Sequence, residues 1–484
     1  MLVPLPYFEN TPALFDFVAD APWSVFLDSG HQQIETSGRY DIIAIDPVAS
    51  IITQGEETTV SHYLSGDKHT SVNDPFDLLR GLLDQYREKI PHHIRQNIKL
   101  PFIGGAMGYF SYDLGRRIEK LPVKALDAED LPEMAIGIYD CVLIVDHDEK
   151  QSFLSTPSDK KLAQKRIAQW QTLIQKTQQQ NKKNNQNRYL ENTFKVTGEI
   201  KSNLSFKQYA KAFNKIQAYI RSGDCYQVNL TQRFSAPATG RLWHTYQTLK
   251  KINPAPFSAY FNTPFGEILS ASPERFLSVQ CGDDHETNQN SHHYNVSTKP
   301  IKGTRPRAED PAQDQALIND LKTSIKDRAE NVMIVDLLRN DLGRVCEIGT
   351  VNVPSLFDIE SYATVHHLVS TVEGILDKNQ DAISLLRAAF PGGSITGAPK
   401  IRAMEIIEEV EPNRRGIYCG ALGYIDFNGN MDTNIMIRSL IYNHGEVRYW
   451  VGGGIVYDSN VDEEYQETLD KGAALLELLT LFKT

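Results

Sequence analysis

The spacing of apolar and polar positions changes twice along this chain, and the changes divide it. Between Trp23 and Asp146, apolar runs at 24–27, 41–45 and 135–145 are bounded by Gly, Pro and Asp, which predicts strands. Residues 102–114, glycine-dense and aromatic, predict a tightly packed strand and turn rather than a phosphate loop, since no helix start with the required glycine spacing follows. After Pro157 the period becomes helical, with Ala163, Ile167, Trp170 and Ile174 on one face. The chain then enters 178–188, too polar to bury a core and therefore a flexible linker. A new unit opens at Ser205, where Gln208 completes a capping box and Phe206, Tyr209, Phe213, Ile216 and Ile220 share a helical face up to Gly223. In 225–234, Tyr226, Val228 and Leu230 alternate with polar residues, predicting a half-buried strand. Residues 283–298, rich in His and Asn, predict a surface loop whose histidines are too irregular for a metal site.

Two later helices carry carboxylates at helical spacing. Asp327 and Glu330 share a face in 326–341; in 464–471, Glu464, Glu467 and Lys471 share one face while Tyr465 and Leu469, with Leu476 beyond, lie on another. An exposed helix with a Glu467–Lys471 ion pair is one reading of the second. The other is a hard-cation site, with Glu330 and Glu467 ligating magnesium, Asp327 and Glu464 behind them, and an anionic substrate completing the shell. Residues 390–400 precede a helix striped by Ala403, Ile406, Ile407 and Val410. Pro399 and Gly397 there suggest an anion-binding helix start. Gly452, Gly453 and Gly454 are either a packing bend or bare amides for a carboxylate. Arg438, among apolar residues, needs an anionic partner, and Glu274 ends an apolar run where a carboxylate can face a cleft. Lys302, between Pro300 and Gly303, sits on a short constrained turn, as a solvated side chain or as an amine nucleophile.

Composition narrows the classes. A chain of 484 residues with 41% hydrophobic and 23% charged residues can bury a large core, and a net charge of −11 opposes nonspecific nucleic-acid binding. The basic linker has no interleaved aromatics to make it an RNA arm. No basic head precedes an apolar core at the N-terminus, and no apolar run is long enough to span a bilayer. Five scattered cysteines without a C-x-x-C pair read as reduced thiols. The expectation is an acidic cytoplasmic enzyme without membrane or nucleic-acid partners.

Taken together, the ordered motifs from Ser205 to Leu479 resemble the chorismate-utilising enzymes, more loosely so from Trp23 to Asp146. The resemblance implies an α+β fold: one large unit with antiparallel sheets packed face to face and helices outside. Residues 1–156 and 205–484 would share it, and 157–204 would be a helix and linker. It implies bound magnesium joining Glu330 and Glu467 to the ring carboxylate of chorismate, with help from Lys471 and the amides of Gly452 to Gly454. Tyr418 and Arg438 would hold the enolpyruvyl carboxylate; His367, Gly303 and Ser394 would line the ring. Glu274 would protonate the departing 4-hydroxyl. Lysine at 302, where anthranilate synthases carry alanine, is similar to the branch that aminates carbon 4 for p-aminobenzoate and folate synthesis, and Asn331 points the same way. Ammonia would come from a separate glutamine amidotransferase subunit, because this chain shows no glutamine-hydrolysing triad. A family tryptophan pocket would fall on Ser29, Gly38, Arg39, Tyr40, Pro256, Phe257 and Ser258. The rivals are anthranilate synthesis and a noncatalytic tryptophan-binding subunit, the latter opposed by the joint presence of Glu274, Lys302, Glu330, Arg438 and Glu467.

Overall fold

The computed structural model describes residues 1–31, 38–90, 100–158, 160–181, 193–282, 293–362 and 365–484. Among these the chain builds two sheets, of 13 and 12 strands. Two antiparallel ladders join the N-terminal segment to the rest. Strand Ser24–Asp28 pairs with Phe257–Thr263 in the larger sheet, and Gly105–Phe110 pairs with Ala421–Asp426 in the smaller. Neither segment therefore owns a complete sheet.

The main core lies between the sheets, where Val25, Ile42, Phe261 and Ile268 of one meet Ile51, Tyr109, Met134 and Leu422 of the other. Phe261 is its hinge pin, with ring centroids 5.9 Å from Trp23 and 6.3 Å from Tyr109. On the outer face of the larger sheet, a second cluster packs helices Lys160–Asn181, Trp243–Ile252 and Val461–Leu481. A third joins helices Phe206–Ser222 and Lys400–Val410 across Val228, Leu230 and Ile455.

The local signals mostly produce the expected elements. Ser205 caps its helix with Gln208 in a reciprocal box, and Gly223 ends it at φ 82°. Several expectations are corrected. The run at 135–145 is two strands, Met134–Tyr139 and Val142–Asp146. The segment read as half-buried at 225–234 is the strand Gln227–Thr239, with both faces buried from Gln227 to Gln232, while Tyr226 is 71% exposed outside it. Its polar side chains are inside because neighbouring elements satisfy them. Of the presumed loop at 283–298, Tyr294–Thr298 is a strand paired on both edges, and 283–292 lies outside the described residues. Most of the 178–188 linker lies outside them too. No helix among the described residues is long and apolar enough to cross a membrane.

Because each sheet contains strands from both segments, Phe261→Ala should lower stability by about 3–5 kcal/mol. Unfolding should remain one transition, with far- and near-UV circular dichroism denaturant curves coinciding.

Candidate active site

Lys302 lies on a β-bulge rather than in a turn. Strand Ile301–Pro306 pairs with Val365–Ile375, but the register shifts between Ile301↔Val369 and Thr304↔His367, so Lys302 and Gly303 oppose a single residue. Such an extra residue re-aims a side chain. Gly303 takes φ 82°, and a Cβ there would fall 2.8 Å from Asp327 and from Leu321, so glycine is needed for conformation and space. The half-buried Lys302 Nζ donates to the Ser394 carbonyl at 3.2 Å.

Glu274, 6% exposed, follows strand Gly266–Ser272 and faces the same point. Burial pushes its carboxyl above the usual range, against the opposing pull of hydrogen bonds from the Ser394 hydroxyl and the Ile301 amide and of the nearby Lys302 charge. A carboxyl raised by burial is thus set beside the Lys302 side chain. His367 meets Thr304 Oγ1 through Nδ1 at 2.9 Å, and burial together with the Arg438 charge depresses it to about 4.

The glycine run belongs to strand Glu446–Ile455, opposite Gln227–Thr239 with Gly454↔Asn229, Gly453↔Leu230 and Gly452↔Thr231. Asn229 and Thr231 turn their amides the other way, to the Thr396 carbonyl and to Glu411. Gly454 and Gly452 are therefore in non-hydrogen-bonded pairs, and their own amides point to the opposite edge. There the neighbouring strand Ser439–Asn443 pairs no further along than Tyr449, leaving the edge open beside the glycines. Arg438, at φ 53°, stands just before that strand and donates to the Lys471 carbonyl. Among the described residues it has no carboxylate partner, and burial lowers its pKa. Tyr418 stacks on Trp450 at 6.1 Å. The open edge thus offers a guanidinium without a carboxylate partner among the described residues and two outward amides, a place for carboxylates.

Across from it stand the acidic helices, Ile325–Gly343 and Val461–Leu481. Desolvation raises Glu330 and Glu464, and the negative charges of Glu464 and Glu467 push Glu330 further. Desolvation also opposes charge on Glu467, but Lys471, Lys326 and Lys302 outweigh it and hold that carboxyl below its usual range. Lys471 bonds to Glu467 and to the Gly452 carbonyl, and Lys326 lies 3.5 Å from Glu464. No three potential ligands among the described residues are close enough to enclose a metal with protein atoms alone. Converging hard oxygen donors that leave coordination positions for water and substrate nevertheless fit magnesium. Asp327 is not drawn into this group: Arg305 Nη2 takes it at 3.1 Å. The close approach at Gly397 is to the Gln227 carbonyl, 2.1 Å from where a Cβ would lie, so packing against strand Gln227–Thr239 already requires this glycine.

The seven residues expected in a tryptophan pocket, Ser29, Gly38, Arg39, Tyr40, Pro256, Phe257 and Ser258, line one cavity of about 380 Å³ with Arg275, Tyr424 and Asp432. Ser29 is fixed by its amide and hydroxyl on Asp41, which holds His147 at 2.9 Å. Arg39 is drawn outward onto Asp146.

Residues 24–477 match the family described as chorismate binding enzyme. The chain belongs to the chorismate binding enzymes. This family member is 45% identical over 465 residues, 96% of its length and 95% of the relative's, to aminodeoxychorismate synthase component 1 of Klebsiella aerogenes. It is 34% identical over 463 residues, 92% and 88% of the two chains, to anthranilate synthase component 1 of Acetivibrio thermocellus. The crystal structure of anthranilate synthase component I from Streptococcus pneumoniae TIGR4 superposes with a TM-score of 0.72 at 30% identity, covering 90% of this chain and 92% of that one.

Three groups in this chorismate binding enzyme escaped the sequence reading: Asn229, Lys326 and the Glu411–Arg415 pair. Only the last had a signal, two opposite charges at i and i+4 in a segment otherwise apolar beyond Arg415.

The depressed His367 gives a pH signature. Its folded pKa of about 4 lies below the usual 6.5, so the unfolded chain binds more protons between those values and stability rises with pH across that window. His367→Gln should flatten this rise by about 2–3 kcal/mol in denaturant titrations from pH 4 to 7.

Proposed function

We propose that this chorismate binding enzyme converts chorismate and ammonia to 4-amino-4-deoxychorismate, as a component working with a separate glutamine amidotransferase. The observation that carries the reading is Lys302, aimed by a bulge at a point shared with a buried Glu274 whose carboxyl burial raises above its usual range. Near full-length identity to an aminodeoxychorismate synthase component 1 supports it.

In this reading Arg438 and the amides of Gly452 and Gly454 receive the carboxylates and fix the ring, so that reacting groups meet without a diffusional search. Glu274 gives its proton to the 4-hydroxyl, which leaves as water. The amine of Lys302 forms a bond to carbon 2 as both ring double bonds shift by one position and the carbon 4–oxygen bond breaks. Ammonia then bonds to carbon 4 and yields a proton to the Glu274 carboxylate. Both double bonds return to their original positions, and the carbon 2–nitrogen bond breaks with its electron pair restored to Lys302. Glu330 and Glu467 would hold magnesium, with Glu464 behind them; when bound, the ion supplies positive charge that orients and neutralises a substrate carboxylate. His367, neutral above about pH 4, adds no charge to the cleft. We assign the 380 Å³ cavity to tryptophan, whose indole suits Phe257 and Tyr424. The buried thiols of Cys141, Cys225, Cys346 and Cys419 suit a reducing cytoplasm.

Chorismate, ammonium and magnesium should suffice for turnover to 4-amino-4-deoxychorismate by this chain alone, read by chromatography of the products. Anthranilate as the sole product would assign the chain to the other branch. Lys302→Ala should lose most 4-amination and retain slow 2-amination, and wild-type protein quenched with chorismate but no ammonia should carry an adduct on Lys302 by mass spectrometry. Full 4-amination in the variant would remove the covalent role.

Glu330→Gln and Glu467→Gln should each weaken magnesium binding by about 10–100-fold, measured by calorimetry, with unchanged circular dichroism. Unaltered magnesium dependence in both would rule out this site.

A further inference from the structure

We infer that Asn229 is a positioning residue for Lys302, acting through the carbonyl of Ser394; the inference rests on the proposed amination. Asn229 lies on strand Gln227–Thr239 opposite Gly454 and is 9% exposed. Its Nδ2 donates to the Ser394 carbonyl at 3.4 Å, the same oxygen that takes Lys302 Nζ at 3.2 Å. Its Oδ1 is held by Gln227 Nε2 at 3.1 Å, which fixes the orientation of the amide and keeps its donor end toward the turn.

The backbone of Asn229 holds the same turn. Its N–H donates to the Thr396 carbonyl at 2.8 Å, and its carbonyl accepts from Arg415 Nη2 at 3.1 Å. Arg415 Nη1 in turn takes the Ile395 carbonyl at 2.9 Å. Three consecutive carbonyls, of Ser394, Ile395 and Thr396, are thus tied to Asn229 directly or through one guanidinium. The turn has little freedom to rotate the oxygen on which Lys302 rests.

The chemical consequence follows from the acceptor. A carbonyl oxygen has two lone pairs, and with Asn229 on one, Lys302 is confined to the other. Without the Asn229 donor, Lys302 could occupy either direction, and the Ser394 peptide would lose one of its ties. An ångström of misplacement in a reacting group can cost about 100-fold in rate. The groups that receive the substrate carboxylates, Arg438 and the amides of Gly452 and Gly454, are not on this turn. The effect should therefore fall mainly on turnover, since Ser394 is the one ring-lining residue on the turn.

Asn229→Leu keeps the branching at Cγ and removes the donor, with a larger side chain; Asn229→Ser, smaller and too short to reach the turn, serves if the leucine variant does not fold. With ammonium as nitrogen source, kcat should fall about 10–100-fold while the KM for chorismate stays within about twofold. The fraction of Lys302 adduct in an ammonia-free quench should fall in parallel. A folded variant with wild-type kcat and adduct level, or one whose loss lies in KM alone, overturns the inference. Wild-type protein that forms no 4-amino-4-deoxychorismate would instead overturn the proposed function beneath it, so the two failures are distinct.

Discussion

The pairing of Gln227–Thr239 with Glu446–Ile455 is the constraint on which the site depends. Ten residue pairs fix its register, and the register decides which glycine amides point outward. A Cβ at Gly452 would meet Thr231 Cγ2 at 2.5 Å, and one at Gly454 would meet Gln227 Nε2 at 2.5 Å. A Cβ at Gly452 would also fall 2.6 Å from the Leu230 carbonyl in the ladder itself, whereas one at Gly454 would displace side chains. Packing thus demands glycine, and the bare edge that can receive an anion follows from the same demand. The two readings of the glycine run left open by the sequence are one property of the strand.

Charge in the cleft is arranged by burial and neighbours rather than by residue type. Glu274 and Glu467 are both glutamates facing Lys302, yet burial dominates at the first and three lysines dominate at the second. Burial moves one carboxyl toward the acid form and the lysines move the other toward the anion, the direction of separation that acid chemistry beside an electrostatic anchor requires. Arg438 has the complementary condition: a desolvated cation without a carboxylate partner among the described residues is costly until an anion arrives.

Much of this was legible locally. The Ser205 capping box, the acidic helices and the constrained Lys302 each depend on residues a few positions apart, and each is present. The local sequence places Lys302 in a turn because the bulge exists only against Val365–Ile375, a partner that sequence does not name. The strand at Gln227–Thr239 was read as half-buried because apolar and polar residues alternate there. Alternation marks an exposed face only when the polar side chains have nothing else to bond. Here Asn229 and Gln232 are bonded inside, to the Ser394 carbonyl and to Thr468. Composition failed in the same way at Tyr294–Thr298, where pairing on both edges outweighs a polar neighbourhood.

The looser N-terminal segment is not an appendage to this chemistry. Tyr112 lies under the Arg415 guanidinium at 4.8 Å, and Asp113 accepts the Gly416 amide at 2.9 Å, so residues before the linker brace the segment that ties down the Ser394 turn. A fully buried Arg415–Glu411 pair gains little net stability after desolvation, and an apolar replacement could serve the core as well. What an apolar pair could not do is bond Ile395, Asn229 and Thr231 at once. The cavity at the sheet seam reaches the site by an equally short route. Arg275 lines it while pairing with Asp432, and the preceding residue is Glu274, whose carbonyl accepts the Ile435 amide. One peptide therefore separates the wall of the cavity from the acid in the cleft, and neither can shift far without moving the other.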